Sequence, residues 1–299
     1  MAPPVRQFAA QSDERGLAPV GYTARPNTET RMSWLEAIIL GLVEGITEFL
    51  PVSSTGHLIL TNALLGLEGE SVDRHIIIIQ GAAILAVCWE FRQKLLHTAF
   101  NVHRDPVARR FMLNLLVAFL PLAILGLAFG DYLKAWLFKP VPVAIALVVG
   151  GLIILWAERR QHEERIKDVD QLTWRDALKL GLFQALALIP GTSRSGATII
   201  GGLLSGFSRR LAAEFSFFVA IPVLLAATAL DLWEARHDLA TTDPTPLIIS
   251  CIASFVSALL VTKLLLRFVS QHSFAAFAWY RIVFGGIILV TAYTGLVAW

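Results

Sequence analysis

Charge is scarce in this 299-residue chain. Asp, Glu, Lys and Arg together make up 16% of it, whereas hydrophobic residues make up 56%. A soluble domain carries about 25% charged residues, so the composition excludes that class and indicates an integral membrane protein. The basic residues fall in short loops beside apolar runs, where they set the orientation of membrane spans. The net charge of +2 therefore gives no indication of nucleic-acid binding.

Cysteine is almost absent as well. The two cysteines, Cys88 and Cys251, both lie inside apolar runs, which excludes a disulfide framework and a cysteine-ligated zinc site. Residues 1–32 contain four arginines and no apolar run long enough for a signal peptide. We expect a flexible N-terminal extension over 1–32, followed by a single membrane domain over 33–299.

Long apolar runs are what the chain does have. Two segments, 34–66 and 174–206, break in the middle at P-V-S-S-T-G and P-G-T-S-R-S-G. Each is too long for one span of about 20 residues and too short for two, so we predict re-entrant helical hairpins whose breaks are made by proline, glycine and hydroxyl residues. Six further runs are of spanning length: His75–Phe91, Phe111–Gly130, Val141–Ala157, Leu211–Trp233, Leu247–Leu266 and Ile282–Trp299.

The chain also repeats itself. A shift of 140 residues aligns Trp34 with Trp174, Ser53 with Ser193, and one break with the other. We predict an internal duplication, with a first repeat of about 33–157 and a second of about 174–299, each made of one hairpin and three transmembrane helices.

The loop charges orient the two repeats. Loops 92–110 and 158–179 are rich in Arg and Lys and are predicted to be cytoplasmic, whereas the acidic segment 234–246 is predicted to lie outside. The two hairpins then enter from opposite sides. The predicted fold class is an all-α integral membrane protein with an inverted-topology repeat, an architecture that places polar sites where two broken segments meet.

Two acids mark the first hairpin. Glu44 and Glu48 are one helical turn apart on one face, among apolar neighbours that argue against a solvated face. Each ionised carboxylate at bilayer depth costs about 2.5 kcal/mol or more, and two so close oppose each other's ionisation unless a cation or an arginine lies between them. The second repeat has Gln184 and Leu188 instead, so the acids belong to one half only.

The two breaks carry the remaining polar side chains. At the first, hydroxyls and successive N–H groups can face an anion instead of only capping a helix, and an imidazole near carboxylates and hydroxyls is an arrangement that activates a nucleophile. At the second, a guanidinium among small residues suits phosphate oxygens. The residues are Ser53, Ser54, Thr55 and His57 at the first break, and Ser193, Arg194, Ser195 and Thr198 at the second. Together they predict phosphate chemistry.

The motifs E-G-I-T-E-F-L-P-V-S-S-T-G-H and P-G-T-S-R-S-G-A-T resemble the two signature motifs of the bacterial undecaprenyl-pyrophosphate phosphatase family, the bacitracin-resistance type, and the resemblance extends over 34–299. It implies hydrolysis of C55 isoprenyl pyrophosphate to the monophosphate, which recycles the lipid carrier for peptidoglycan synthesis. It also implies a bacterial inner-membrane location with the site open to the periplasmic side. The implied partners are the lipid substrate and the bilayer, with a homodimer left open and no nucleic acid.

The resemblance carries roles over by motif position. Glu48, Ser54, His57 and Arg194 would be catalytic, and the substrate-binding residues would be Glu44, Ser53, Thr55, Ser193, Ser195 and Thr198. A divalent cation, Mg²⁺ or Ca²⁺, would be held by Glu44, Glu48 and pyrophosphate oxygens, since hard cations prefer oxygen ligands.

Several alternatives stay open at the level of sequence. Ser54 is our first choice of nucleophile, with His57 or Glu48 accepting its proton, and His57 itself or a water activated by Glu48 are the others. The rival function is a carrier that flips a polyprenyl phosphate or couples a small anion to ions, because inverted repeats also build transporters. An anion carrier would not need Glu48 with His57. Arg281, just before the last apolar run, is expected to be an interfacial anchor.

Overall fold

A computed structural model describes residues 32–160, 163–236 and 243–299. These residues form eleven α-helices, two single-turn 3-10 helices and one isolated β-bridge between Ile166 and Phe207. The α-helices are α1 (Trp34–Thr47), α2 (Ser54–Leu65), α3 (Glu70–Glu90), α4 (Arg92–Asn101), α5 (Pro106–Leu137), α6 (Pro140–Arg159), α7 (Trp174–Ala185), α8 (Arg194–Leu204), α9 (Arg209–Glu234), α10 (Thr245–Val269) and α11 (Ala275–Thr294). Apart from Met32, the extension predicted over 1–32 lies outside the described residues, as do residues 237–242 of the predicted outer loop.

Six of the described helices are long and apolar enough to cross a membrane: α3, α5 over Pro106–Gly130, α6, α9, α10 and α11. The prediction of an all-helical membrane protein is thus confirmed. Five of the predicted runs lie almost entirely within these helices. The sixth, Ile282–Trp299, begins and ends later in the chain than α11 does. Arg281 is buried inside the protein and does not interrupt α11, which begins at Ala275. The helix ends at Thr294, and Gly295 after it has the left-handed conformation (φ 67°) of a helix C-cap.

Each predicted broken segment consists of two α-helices separated by a short break, which in the second segment includes the 3-10 turn Leu186–Leu188. Ser33 and Thr173 start α1 and α7 with capping boxes closed by Glu36 and Asp176. The second helix of each pair, α2 or α8, starts after a serine with a positive φ, Ser53 at 70° and Ser193 at 72°. Among the described residues, every other residue with positive φ is a glycine. The same strained backbone therefore recurs 140 residues apart.

The first helix of each broken segment packs against a helix of the opposite half of the chain. Helix α1 packs on α10 and α7 packs on α5, while α3 pairs with α9 and α6 pairs with α11. Glycine allows the close crossings: a Cβ on Gly41 would lie 2.3 Å from the carbonyl oxygen of Ser250, and one on Gly181 would lie 2.6 Å from that of Ala118. This exchange of partners brings the two breaks together inside the protein.

Candidate active site

Glu48 lies where the two breaks meet. Its Oε2 accepts a hydrogen bond from Ser54 Oγ at 2.6 Å, and its Oε1 accepts one from Arg194 Nη2 at 3.0 Å. Ser54 and Arg194 are the first residues of α2 and α8, and they occupy equivalent positions in the 140-residue repeat. The side chains of Glu48 and Arg194 are only 8% and 9% exposed, so one buried carboxylate joins the two tips.

The guanidinium of Arg194 also contacts the backbone of α9. Its Nη1 donates to the carbonyl oxygen of Ser216 at 3.1 Å. Thr198 Oγ1 lies 2.6 Å from Ser216 Oγ and 2.9 Å from the carbonyl oxygen of Arg194. Arg194 Nε, in contrast, is buried without a hydrogen-bond partner among the described residues. This donor is therefore free to bind a phosphate oxygen.

The second tip is internally bonded. Ser193 Oγ accepts from the backbone N–H of Gly196 at 3.1 Å and lies 3.0 Å from Ser195 Oγ. Ser195 Oγ also donates to the carbonyl oxygen of Leu50 at 2.8 Å, which ties the second tip to the first. The hydroxyls of Ser193 and Ser195, predicted to hold substrate, are thus engaged in shaping this tip.

The first tip leaves its helix start uncapped. The side chain of Ser53 makes no capping hydrogen bond, and its buried Oγ has no partner among the described residues. The first N–H groups of a helix have no partner within the helix, and they attract anions together with the helix dipole. Thr55, in the first turn of α2, is half-buried. The start of α2, beside Ser54, therefore has backbone N–H groups that no Ser53 side-chain cap engages.

His57 is engaged on both ring nitrogens. Nδ1 lies 2.7 Å from the carbonyl oxygen of Ser53, Nε2 lies 2.7 Å from the hydroxyl of Tyr280, and the ring stacks on Phe284 at 4.2 Å between centroids. Because a carbonyl oxygen only accepts, we assign the ring proton to Nδ1, so Nε2 accepts from Tyr280. Of the two predicted proton acceptors, Glu48 is the one that contacts the Ser54 hydroxyl.

Glu44 lies one turn before Glu48 and is completely buried. Neither of its carboxyl oxygens has a hydrogen-bond partner among the described residues. Leaving a buried polar group without partners costs about 1–3 kcal/mol, and more when the group is charged. The equivalent residue, Gln184, contacts the carbonyl oxygen of Ala118 instead. Glu44 thus supplies two unused oxygens next to the joined tips.

Arg281 was misassigned from sequence. The prediction that it is an interfacial anchor is wrong, because the side chain is completely buried. It donates to backbone carbonyls of the first break, the second break and α6. Nη1 donates to Pro51 of the first break and Thr192 of the second. The other three donors reach Gly191, Ala146 and Leu147. All five N–H groups are used, so Arg281 holds both breaks against α6 and keeps no donor for a ligand.

A signal for this role was present in the sequence. Gly150 and Gly151 lie inside the apolar run of α6, and a Cβ on Gly150 would lie 2.2 Å from Arg281 Nη2. A pair of glycines in one span indicates a close approach by another group. An arginine flanked by apolar residues on another span is a candidate for that group, although sequence alone does not pair the two.

Comparison with known proteins adds a family assignment. The sequence model of the family described as bacitracin resistance protein BacA matches residues 37–287. A protein of Nitrosospira multiformis named undecaprenyl-diphosphatase is 58% identical over 271 residues, which is 90% of this chain and 99% of the relative. Undecaprenyl-diphosphatase 2 of Rhodospirillum rubrum and undecaprenyl-diphosphatase of Methylococcus capsulatus are each 56% identical over 266 residues, covering 89% of this chain and 97% of each relative.

Proposed function

Since this chain belongs to the BacA family of bacitracin resistance proteins, we propose that it hydrolyses undecaprenyl pyrophosphate to undecaprenyl phosphate and inorganic phosphate in the bacterial inner membrane. This reaction recycles the lipid carrier of peptidoglycan synthesis. The observation that carries the proposal is the contact of one buried carboxylate, Glu48, with both a serine hydroxyl and an arginine. The names of the relatives agree with it.

In the proposed first step, the distal phosphate lies between the start of α2 and Arg194. Ser54 Oγ bonds to the distal phosphorus while its proton passes to Glu48 Oε2, 2.6 Å away. The bond from phosphorus to the bridging oxygen breaks, and undecaprenyl phosphate leaves with the proton from Glu48. Arg194 and the N–H groups of α2 stabilise the charge on the nonbridging oxygens, which is the main contribution that proteins make to phosphoryl transfer.

In the second step, water attacks the phosphoserine and gives a proton to Glu48. The bond between Ser54 Oγ and phosphorus breaks, Oγ takes the proton back, and inorganic phosphate leaves. His57 acts here as a positioning residue, because its Nδ1–H bonds the carbonyl oxygen of the strained Ser53. Ser53, Thr55, Ser193, Ser195 and Thr198 stay predicted substrate-binding residues, acting directly or by shaping the two tips.

A divalent cation fits the remaining oxygens. Among the described residues, no group of three or more His, Cys, Asp or Glu side chains is arranged to hold a metal ion, but Mg²⁺ is commonly bound by one or two carboxylates together with substrate phosphates. Glu44 has two unused oxygens, and Glu48 lies one turn away. Mg²⁺ or Ca²⁺ held by these residues and the pyrophosphate would neutralise negative charge.

We also propose that the two halves form an inverted repeat whose broken segments are re-entrant hairpins, with the site open to the periplasm. Two features support the repeat: Ser53 and Ser193 share one strained conformation, and α1 packs on α10 as α7 packs on α5. The orientation rests on the basic loops. The homodimer stays a prediction.

The test is phosphate release from C55 pyrophosphate by detergent-solubilised protein. We expect Glu48→Gln, Ser54→Ala and Arg194→Ala each to lose roughly 10²-fold or more in kcat, while Ser71→Ala, an exposed hydroxyl of α3, keeps wild-type activity. Phosphate trapped on Ser54 would support the covalent step, and full activity of Ser54→Ala would leave a Glu48-activated water instead.

Phosphate release also tests the cation and the rival function, together with one spectroscopic measurement. EDTA should abolish turnover and excess Mg²⁺ should restore it, and Mn²⁺ bound with inorganic pyrophosphate should give a paramagnetic resonance signal that Glu44→Gln weakens. A wild-type protein that turns over no isoprenyl pyrophosphate would make the carrier the primary interpretation, because release in detergent needs no second compartment.

A further inference from the structure

A basic pocket lies at the predicted cytoplasmic end, and none of the residues at the joined tips lines it. It has a volume of about 730 Å³ and is formed by the start of α5, the start of α7 and the loop before α7. Four basic residues line it, Arg110, Arg165, Arg175 and Lys179, against a single acid, Asp176. We call it the Trp174 pocket, after the tryptophan in its wall.

Asp176 forms an ion pair with one of the four bases, Arg165. Asp176 accepts from Arg165 at 3.1 Å and from the Thr173 hydroxyl at 2.6 Å as part of the α7 capping box. Within residues 32–160, 163–236 and 243–299, neither Arg175 nor Lys179 forms an ion pair with an acidic side chain. Both are exposed. The pocket thus presents positive charge that the protein itself leaves unbalanced.

The duplication provides an internal comparison for these bases. Helix α1 starts as α7 does, with a capping box and an exposed tryptophan, Trp34. The residues 140 positions from Arg110, Arg175 and Lys179 are Ser250, Leu35 and Ile39. The same helix start therefore folds without the bases, and the fold does not explain why three of them converge on one pocket.

The wall of the pocket also contains an amide and apolar side chains. Asn114 is 1% exposed; its Nδ2 donates to the carbonyl oxygen of Leu172 at 2.9 Å, and its Oδ1 has no hydrogen-bond partner among the described residues. That oxygen can accept from a ligand hydroxyl. Trp174 and Leu113 are half-exposed, and an exposed tryptophan is typical of the membrane interface. The pocket combines an anion site, a hydroxyl acceptor and apolar contacts for chains.

We propose that the Trp174 pocket binds the phosphate headgroup of an anionic membrane lipid, of the phosphatidylglycerol class. The basic side chains bind the phosphate, Asn114 accepts from a headgroup hydroxyl, and Trp174 and Leu113 contact the acyl chains. Basic pockets between membrane helices at the cytoplasmic side bind anionic headgroups in this way. The site is separate from Glu48 and Arg194, so it does not depend on the proposed phosphatase reaction.

The experiment is native mass spectrometry of the full-length protein titrated with phosphatidylglycerol or phosphatidylcholine of matched chains. We expect wild type to bind one phosphatidylglycerol in preference to phosphatidylcholine, and Arg175→Gln/Lys179→Gln to weaken that binding roughly tenfold or more. The matched control is Arg104→Gln/Arg109→Gln, which removes two exposed bases at the same end outside the pocket and should bind as wild type does. Phosphate release in detergent should be unchanged in both variants.

Three outcomes would overturn the proposal. Equal loss in the pocket and control variants would mean that general positive charge attracts the lipid. Unchanged binding in Arg175→Gln/Lys179→Gln would mean that the lipid binds elsewhere. Competition by millimolar inorganic phosphate, together with equal binding of the two lipids, would identify a free-anion site instead of a lipid site.

Discussion

At the scale of single residues, the site is made by two positions that the duplication relates. Ser54 and Arg194 both follow a serine with positive φ, and they bond the two oxygens of one carboxylate. Equivalent backbone positions therefore supply different chemical groups, a hydroxyl from one tip and a cation from the other. The sequence predicted these residue types and an arginine near the acids, but the pairing with Glu48 needs the tertiary structure because α1 and α8 are far apart in the chain.

The contacts of His57 lead to a prediction about its role. If its purpose is to hold the Ser53 carbonyl through Nδ1–H, then asparagine, whose amide can make the same bond, should replace it in part. We expect His57→Ala to lose about 10²-fold in kcat, as a misplaced catalytic group does, and His57→Asn to stay within about tenfold of wild type. Phosphate release by the two purified variants measures this.

A nucleophilic or proton-transferring histidine would give another pattern, because an amide has neither property. Equal inactivity of His57→Asn and His57→Ala, with both proteins folded, would argue for direct chemistry by the imidazole. Tyr280→Phe is the companion variant, since it removes the partner of Nε2. We expect it to lower kcat less than His57→Ala does.

Arg281 leads to a prediction about stability. Arg281→Met removes the donors to five buried carbonyls. Those of Ala146 and Leu147 lie inside α6 and keep their helical hydrogen bonds, whereas those of Pro51, Gly191 and Thr192 lose the partner that Arg281 supplies, at about 1–3 kcal/mol each. We expect a loss of about 4 kcal/mol or more, measured as thermal unfolding in detergent.

A second variant tests the same contact from the other side. Gly150→Ala would place a Cβ 2.2 Å from Arg281 Nη2 and should cost about 1–3 kcal/mol by overpacking. Gly286→Ala is the control, because a Cβ there meets nothing within 4 Å and a helical alanine is favoured over glycine. Equal stability of Gly150→Ala and Gly286→Ala would contradict the assigned role of Arg281.

At the scale of secondary structure, hydropathy and helix-breaking residues were sufficient to locate most elements. The six spans follow from apolar runs, and the two breaks follow from Pro51, Pro190 and Gly191. Helix α4 was not predicted, because it is short and lies in a charged loop. The start of α11 was missed because an arginine in an apolar helix indicates a membrane boundary unless its buried partners are known.

Close packing between helices leads to a prediction that applies at two equivalent positions. Gly41 and Gly181 are equivalent, and each faces a backbone carbonyl of the crossing helix. We expect Gly41→Ala and Gly181→Ala each to destabilise the protein by about 1–3 kcal/mol, measured by thermal unfolding. Gly130→Ala in α5, where a Cβ meets nothing within 4 Å, should be neutral or slightly stabilising. A loss confined to one of the two equivalent glycines would contradict matched crossings.

At the scale of the whole molecule, the exchange of helices between halves explains how the chemistry can be asymmetric. The first helix of each broken segment packs on the other half, α1 on α10 and α7 on α5, and the two tips meet inside the protein. Once they meet, one copy can carry the acids and the other the arginine. The internal sequence match indicated the duplication, whereas the exchange of partners is a tertiary property that no local pattern contains.

The proposed inverted arrangement makes a prediction about which side of the membrane each loop faces. If the first segment enters from the periplasm, the loop after α2 faces outward and the loop before α7 faces the cytoplasm. In a chain carrying Cys88→Ala and Cys251→Ala, we expect Glu68→Cys to react with an impermeant maleimide in intact spheroplasts. Lys167→Cys should react only after permeabilisation. Both positions are exposed, so a failure to react reports the side of the membrane and not burial. Reaction of both cysteines from the same side would contradict the inversion, and the two tips would then need another route to a common site.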